Sequence, residues 1–372
     1  MKAIVLVGGK GTRLRPLTLS TPKPMLPIVD VPMIERIVDH LARHDIDEVV
    51  LSLGYRPDAF VDAFPEGAIR GVKLAYAVEP EPLDTAGGIA FAARAAGLDV
   101  GDERFVVVNG DVLTDLDLTA LVAFHDERGA EATIALTPVE NPAAFGVVPT
   151  HDDGRVIAFI EPPDAVKKGL EQPKEPPPTN LINAGFYVFE PRVIARIPEN
   201  RKVHLETVVF PAMAESGSLY AQGSDEYWLD TGTAALYIRA NLDIVAGLRS
   251  TIDPVAPGAS QRNDGTWTGD GPVLDGAVES PAFIGDAAYV ASGATVSRSV
   301  VGAGARVEKG AVVDGSVLLP GALVRSGAVV RDSIVGPEAV IGAGADLTDV
   351  CVVEGGASVA DGVALRGERV EA

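Results

Sequence analysis

Hydrophobic and polar residues follow two different rhythms along the chain, and the rhythm changes near residue 250. In the first part, short apolar runs alternate with amphipathic stretches. Residues 3–7 and 105–108 are continuous apolar runs rich in valine, which is typical of strands buried on both faces. Residues 33–44 instead carry apolar side chains at helical spacing. The alternation predicts an α/β fold with a Rossmann-like, doubly wound and mostly parallel sheet.

From residue 284 onward aliphatic residues recur in steps of six, with three steps of five. Gly-Ala pairs follow many of these positions and permit tight corners. The pattern predicts a left-handed parallel β-helix of hexapeptide repeats, whose stacked coils enclose an aliphatic column. A disordered Gly/Ala-rich tail is the alternative, but disorder would not keep these residues in phase. The predicted column is Ile284, Val290, Val296, Val301, Val307, Val313, Leu319, Val324, Val330, Val335, Ile341, Leu347, Val353, Val359 and Leu365.

Turn-forming residues mark the boundary between the two rhythms. Pro254, Pro257 and Gly258 precede a polar stretch at 260–271. We therefore expect an α/β domain over 1–250, a linker over 251–272 and the β-helix over 273–372.

Charge narrows the classes of partner. The chain has 31 Lys and Arg against 52 Asp and Glu, a net charge of −21, which disfavours nucleic acid and anionic membranes. The first 25 residues nevertheless hold five cations and no acid, so a small anionic ligand could bind there. The single cysteine, Cys351, cannot form an intrachain disulfide, and the sequence suggests neither a secretory signal nor a membrane span. We expect a cytoplasmic protein.

A glycine-rich loop at residues 7–18 follows the first predicted strand and could bind phosphates through its backbone N–H groups. It is not a Walker A loop, because Gly11 rather than Ser or Thr follows Lys10, and Leu14 stands where a dinucleotide fingerprint needs glycine. A plain strand-to-helix turn is the alternative. The nearby proline-stiffened Pro22-Lys23-Pro24 adds a second fixed cation and favours the phosphate site.

These motifs resemble those of the sugar-1-phosphate nucleotidyltransferases, and the resemblance covers both predicted domains. The form with a hexapeptide tail is most similar to the mannose-1-phosphate guanylyltransferases, which make GDP-mannose, although glucose-1-phosphate enzymes using dTTP, UTP or ATP share most motifs. The resemblance makes residues 1–250 a catalytic domain. It rests on Gly8-Gly9-Lys10-Gly11-Thr12-Arg13-Leu14, Pro22-Lys23-Pro24, Asn109-Gly110-Asp111, Trp228-Leu229-Asp230-Thr231-Gly232 and residues 82–88, 145–148 and 182–187.

Site residues follow from the resemblance, residue by residue. It implies that Arg13 and Lys23 contact the reacting phosphates and that Asp111 and Asp230 hold one Mg²⁺. The implied nucleotide-binding residues are Leu6, Gly8, Gly9, Gly11, Thr12, Arg13, Glu79, Gly88 and Asp111. The implied sugar-phosphate-binding residues are Lys23, Gly146, Glu161 and Asn183. Two alternatives stay open: Asn109-Gly110 is also a hairpin-turn dipeptide, and the sugar-side residues could be ordinary polar residues at strand ends.

The chain departs from the family pattern at two positions. Glu161-Pro162-Pro163 stands where the family has Glu-Lys-Pro, so the lysine that binds the sugar phosphate is missing, and Lys167 or Lys168 could replace its charge. Asp84 stands in place of the usual glycine of Leu-Gly-Thr-Ala-Gly, where it could accept a ribose hydroxyl or face solvent.

Three hypotheses about function follow. The first is an enzyme that joins an NTP, most simply GTP, to a hexose-1-phosphate; the attacking phosphate is already ionised, so alignment and positive charge are needed rather than a general base. The second is a catalytically silent homologue that binds the nucleotide sugar and regulates a partner. The third, an acyltransferase site in the β-helix, is disfavoured because no histidine follows His204. We expect the β-helix to mediate homo-oligomerisation.

Overall fold

The computed structural model describes residues 1–167, 170–249, 251–252 and 255–372, so Pro254 and Lys168 lie outside the described residues. These residues form two compact units. The first unit comprises 1–9 and 34–228, and the second comprises 10–33 and 229–372. The division into 1–250, 251–272 and 273–372 stays a prediction.

An eight-stranded sheet forms the centre of the first unit. Its apolar strands are buried on both faces, as the continuous runs predict. The strands equivalent to the first four of a Rossmann fold lie in the order third, second, first, fourth and are parallel. In spatial order the eight strands are Leu219–Gly223, Ala132–Pro138, Leu181–Phe189, Phe105–Asn109, Lys2–Leu6, Glu48–Leu53, Val72–Val78 and Ala68–Ile69. Leu181–Phe189 and Ala68–Ile69 are antiparallel to their neighbours, so the sheet is mostly parallel, as predicted.

Helices follow the strands and cover the sheet. Met33–Ala42 confirms the helix predicted over 33–44, with its apolar positions buried and its charged positions largely outward. The other α-helices are Leu17–Ser20, Asp58–Ala63, Asp84–Ala95, Leu118–Arg128, Asp164–Lys167, Phe210–Glu215 and Ala234–Val245. Short 3₁₀ segments are Thr12–Leu14, Lys23–Met25, Pro142–Ala144 and Pro191–Arg196, Leu205–Val209 is a π-helical turn, and Val112–Thr114 and Trp228–Asp230 are short strands outside the sheet.

The second unit contains the β-helix, whose three parallel sheets agree with the predicted left-handed parallel fold. Phe283 pairs with Val300 and Val300 with Val317, so one coil takes 17 residues. The first sheet contains Ser260–Gln261, Trp267–Thr268, Phe283–Ile284, Val300–Val301, Val317–Leu318, Ile334–Val335, Val352–Val353 and Arg369–Val370. The second contains Val273–Leu274, Tyr289–Val290, Arg306–Val307, Leu323–Val324, Val340–Ile341 and Ser358–Val359, and the third Ala277–Glu279, Thr295–Ser297, Val312–Asp314, Val329–Arg331, Asp346–Thr348 and Ala364–Arg366.

The interior column is the predicted one except at a single coil. Val301 pairs with Leu318, which belongs to the buried core, so the prediction of Leu319 at this position is wrong. With Leu318 in place, the five-residue step comes once per coil until Val335. Such a step shortens one side of a coil to 17 residues, whereas Ile334 pairs with Val352 through a coil of 18.

A small hairpin of the second unit lies between the glycine-rich loop and the helix Met33–Ala42. Its strands Pro27–Ile28 and Val31–Pro32 are antiparallel, and Val29 and Asp30 at the turn have φ of 49° and 57°. Two residues with positive φ form the turn that fits the right-handed twist of a hairpin. The hairpin therefore fixes the path of the chain just after Lys23.

Candidate active site

Asp111 lies at the point of the first unit's sheet where ligands of α/β proteins bind. It follows Phe105–Asn109, which neighbours Lys2–Leu6 at the reversal of strand order. Gly110 donates its N–H to Leu6 O at 2.9 Å, and a Cβ at Gly110 would lie 2.6 Å from the same oxygen. Asn109-Gly110 therefore serves close packing between two parallel strands, and Phe105–Asn109 pairs with Lys2–Leu6 and Leu181–Phe189 rather than in a hairpin.

Gly8, Glu79 and Gly88, three residues implied in nucleotide binding, lie together in the first unit. A Cβ on Gly88 would be 2.7 Å from Glu79 Oε1, and one on Gly8 would be 3.8 Å from it. Ser52 Oγ donates to Glu79 Oε1 at 3.1 Å, and the Leu83 N–H donates to Glu79 Oε2 at 2.9 Å. Glu79 is thus tied to the protein through both carboxylate oxygens. A role in fixing the backbone around the two glycines suits it as well as a contact with the base.

The segment after Leu83 packs closely against residues 201–206. The N–H groups of Ala86 and Gly87 both donate to Val203 O, at 2.9 and 3.2 Å. A Cβ on Gly87 would lie 2.6 Å from Arg201 O, so a larger residue does not fit. Asp84 has φ of 60°, in the left-handed region that favours glycine, which explains why the family pattern has glycine there.

The sugar-side residues Gly146, Glu161 and Asn183 also lie together in the first unit. The Asn183 N–H donates to Gly146 O at 3.0 Å. A Cβ on Gly146 would lie 2.5 Å from Glu161 Oε2 and 2.8 Å from a ring carbon of Phe159, so glycine is required for Glu161 to occupy this place. The three residues are therefore one cluster rather than unrelated strand ends.

Tyr187 connects this cluster with Asp111, and the sequence interpretation missed it. Its hydroxyl accepts a hydrogen bond from Asn183 Nδ2 at 2.9 Å. Burial raises the pKa of Tyr187 well above its usual value, and the negative charges of Glu206, Glu161 and Asp111 raise it further. The phenol therefore stays neutral, and carboxylates from the nucleotide and the sugar sides surround it. A signal was present in the sequence: Tyr187 ends the stretch 182–187 that carried part of the resemblance.

Lys167 brings a cation to the place from which the family lysine is missing. It ends the short helix Asp164–Lys167 and forms an ion pair with Glu161. The two side chains are 35% and 22% exposed, so the pair is partly shielded from solvent. Lys168, the other candidate, lies outside the described residues.

Three predicted phosphate and metal residues lie together in the second unit. Lys23 Nζ is 3.6 Å from Asp230 Oδ1, and Arg13 Nη2 is 3.9 Å from Asp230 Oδ2. The Lys23 side chain is 7% exposed whereas that of Arg13 is 65% exposed, so one cation is fixed and the other can reach into solvent. A Cβ on Gly232 would be 2.5 Å from Arg13 Nη2, which shows how closely the guanidinium lies on the backbone after Asp230.

The glycine-rich loop has its shape from packing at one position and from none at another. Gly11 has φ of 58°, its carbonyl accepts the Thr18 hydroxyl at 2.8 Å, and a Cβ there would be 3.1 Å from Lys23 Cβ. A Cβ on Gly9 would meet no atom within 4 Å. Thr12 begins the 3₁₀ turn Thr12–Leu14. The loop therefore has open space beside Gly9.

Asp111 and Asp230 have the chemistry that Mg²⁺ prefers, since both supply carboxylate oxygens. Within the described ranges, no group of three or more His, Cys, Asp or Glu residues is arranged to hold a metal by protein ligands alone. This fits an ion that takes its remaining ligands from phosphate oxygens and water. The assignment of the site residues stays a prediction.

Comparison with known proteins covers both units. Residues 2–247 match the family described as nucleotidyl transferase, and residues 278–372 match the GMPPB C-terminal domain. The chain is 42% identical over 281 residues to a mannose-1-phosphate guanylyltransferase of Mycobacterium tuberculosis, covering 75% of this chain and 71% of that protein. It is 36% identical over 290 residues to the mannose-1-phosphate guanylyltransferase catalytic subunit beta of Drosophila pseudoobscura pseudoobscura, covering 78% and 72%.

A solved structure supports the fold. The crystal structure of HddC from Yersinia pseudotuberculosis is similar with a TM-score of 0.54 and 25% identity, covering 64% of this chain and 97% of that one. HddC complexed with GMP-PN is similar with a TM-score of 0.53. Among the helices that the structure describes, none has the length and apolar character needed to cross a membrane.

Proposed function

Because the chain belongs to the nucleotidyl transferase family, we propose that it converts GTP and mannose-1-phosphate into GDP-mannose and pyrophosphate. The names of the relatives from Mycobacterium tuberculosis and Drosophila support both substrates, and the HddC complex with GMP-PN agrees with a guanine nucleotide. One observation carries the proposal: a strongly acidic chain gathers Arg13 and Lys23 around the single carboxylate of Asp230.

The reaction requires alignment more than acid–base chemistry. An oxygen of the sugar phosphate attacks the α-phosphorus of GTP, a new P–O bond forms, and the bond to the β-phosphate oxygen breaks to release pyrophosphate. The attacking oxygen is already ionised near neutral pH, so no residue needs to remove a proton. Arg13 and Lys23 would orient the phosphates and offset the charge that develops during transfer.

Asp111 and Asp230 would hold one Mg²⁺ in this proposal. When bound, the ion neutralises phosphate charge and polarises the reacting phosphoryl group. The backbone around Leu6, Gly8, Gly9, Gly11 and Thr12 would receive the nucleotide, with Gly88 giving room that Glu79 keeps in shape. Leu6 O already accepts the Gly110 N–H, so Leu6 would act through its position rather than as a free carbonyl.

Gly146, Glu161 and Asn183 would bind the sugar, and Lys167 would contact its phosphate. Glu161 holds the Lys167 ammonium group next to the sugar-side cluster, which compensates for Pro162 where the family has lysine. Solvation favours the exposed share of Lys167, so its charge is available to an anion.

A substrate matrix tests the proposal. Four NTPs are each combined with mannose-, glucose- and galactose-1-phosphate in the presence of Mg²⁺, and pyrophosphate release is followed. We expect turnover to be fastest with GTP and mannose-1-phosphate and to fall by at least about 10³-fold in Asp230→Asn. The matched variant Asp286→Asn, on the β-helix, should retain full activity.

Two outcomes would replace the proposal. Faster turnover with glucose-1-phosphate and dTTP, UTP or ATP would assign the chain to the other branch of the family. Binding of GDP-mannose without turnover in every pairing, unchanged by Pro162→Lys, would indicate the silent regulatory homologue. We further propose that the protein is a cytoplasmic homo-oligomer through its β-helix; sedimentation velocity of the full chain as a single monomeric species would contradict this.

A further inference from the structure

We infer that Asp30 is a positioning residue, through which the β-helix holds the hairpin Pro27–Pro32 and thereby the Lys23 ammonium group. This inference rests on the proposed function, because its consequence is expressed in the transfer reaction. All residues involved belong to the second unit.

Asp30 occupies a socket formed by two coils of the β-helix. Its Oδ2 accepts the Ala303 N–H at 2.8 Å. A Cβ on Gly302 would lie 2.8 Å from Asp30 Oδ1, and a Cβ on Gly285 would lie 2.5 Å from Asp30 Oδ2. Any side chain at these two corners would displace the carboxylate. The two glycines therefore make room for a residue more than 250 positions earlier in the sequence.

The β-helix uses its own aspartates at comparable corners. Asp361 Oδ1 accepts the Ala343 N–H at 2.8 Å and lies over Gly342, and Asp286 Oδ1 accepts the Asp270 N–H at 2.7 Å. In both cases the acceptor comes from the matching position of the next coil, as the pairing of Ile341 with Val359 shows.

Ala303 has no aspartate at the matching position of the next coil. The pairing of Val301 with Leu318 places Pro320 there. Proline cannot supply a side-chain acceptor, and Asp30 takes the place that Asp361 fills elsewhere. The hairpin thus completes the β-helix at this corner.

The other side of the hairpin is bound by the helix Ala234–Val245. The buried Asn241 accepts the Val29 N–H through Oδ1 at 2.8 Å and donates through Nδ2 to Tyr237 O at 2.9 Å. The Tyr237 hydroxyl donates to Pro27 O. Val29 is β-branched and has φ of 49°, a strained conformation that persists only where the surroundings impose it.

Both ends of this arrangement lead to the phosphate-binding cluster. Lys23 begins the 3₁₀ turn that leads directly into the hairpin, and the Leu26 N–H donates to Lys23 O at 3.1 Å. Asp230 lies four residues before the first residue of the helix that holds Asn241 and Tyr237. Fixing the hairpin against the helix and the β-helix therefore fixes Lys23 relative to Asp230.

The test compares Asp30→Gly, Asp30→Asn and Asp361→Gly in the full chain. Glycine at position 30 removes the carboxylate without adding strain at positive φ. We expect Asp30→Gly to lower kcat for pyrophosphate release about 10- to 100-fold, because small displacements of positioned groups have effects of this size, with KM for GTP changing less. Asp30→Asn, whose amide oxygen can accept the same N–H, should restore most of kcat. Asp361→Gly should behave as wild type.

Amide hydrogen exchange separates failure of this inference from failure of the proposed function. In Asp30→Gly, exchange should become faster over 24–33 and at Ala303, and in Asp361→Gly at Ala343 alone. If the wild type transfers no nucleotide but shows this exchange pattern, the proposed function fails while the link between Asp30 and the Lys23 segment stands. If Asp30→Gly matches Asp361→Gly in kcat, or exchange over 24–33 does not change, the inference is wrong.

Discussion

Replacing Lys167 by methionine tests whether this lysine takes over the role of the one missing at Pro162. Methionine keeps much of the length and apolar contact of the side chain and removes only its charge. The ion pair with Glu161 would be lost, and with it the cation that we assign to the sugar phosphate. We expect a weaker reaction with the hexose phosphate and an unchanged KM for GTP.

The size of the effect follows from distance and exposure. At an effective dielectric constant of about 20, a cation about 4 Å from an anion contributes up to about 4 kcal/mol. Lys167 is 35% exposed, and solvent and salt screen its charge, so we expect about 1.4 to 2.8 kcal/mol. This corresponds to a fall of about 10- to 100-fold in kcat/KM for mannose-1-phosphate.

The assay is pyrophosphate release at fixed saturating GTP and varied mannose-1-phosphate. Lys73→Met, which removes an exposed lysine from the strand Val72–Val78, is the matched control and should be neutral. Adding Pro162→Lys to Lys167→Met should restore activity, since it recreates the family pattern. If Lys167→Met keeps wild-type kcat/KM for the sugar phosphate, the charge comes from elsewhere and the reasoning is refuted.

Three further predictions concern glycine positions and pH. Asp84→Gly should raise the free energy of unfolding by about 0.5–1 kcal/mol, because φ at this position is 60°, and urea unfolding measures it; a decrease would show that the 3.6 Å ion pair with His204 outweighs backbone strain. Gly88→Ala should raise KM for GTP at least about 10-fold, since its Cβ would lie 2.7 Å from Glu79 Oε1, and Glu79→Ala in the same chain should relieve part of this; equal KM values in wild type and Gly88→Ala would contradict the close packing. Burial lowers the pKa of His125, so the unfolded chain binds its proton more readily, and the contribution of His125 to stability is lost as pH falls below about 6.5; unfolding at pH 7.5 and 5.5 should show a smaller pH-dependent loss in His125→Gln than in wild type, and equal losses would contradict the assignment.

Periodicity was sufficient to predict both architectures because burial imposes it directly. The valine-rich strands and the aliphatic column are continuous consequences of packing on two faces or in a stacked coil. The error at Leu319 arose where two leucines are adjacent, so hydrophobicity alone could not distinguish the inward residue. Only the strand register, which pairs Val301 with Leu318, decides between them.

The site was predictable where short motifs carry the chemistry and not where distant segments meet. Arg13, Lys23 and Asp230 are each recognisable from local sequence, and they do lie together. Tyr187 and Asp30 were missed because their roles depend on partners far along the chain, at Glu206 and Ala303. No local pattern indicates that Gly285 and Gly302 accommodate an aspartate from the hairpin, since both glycines also fit the ordinary corners of hexapeptide repeats.

The most direct test of the account is a double-mutant cycle on Asp111 and Asp230, with Mg²⁺-dependent release of pyrophosphate from GTP and mannose-1-phosphate as the measurement. If both carboxylates serve one ion in one reaction, Asp111→Asn and Asp230→Asn should each reduce kcat nearly as much as the double variant does. Independent effects that multiply in the double variant, or a Mg²⁺ dependence that neither substitution alters, would contradict the account.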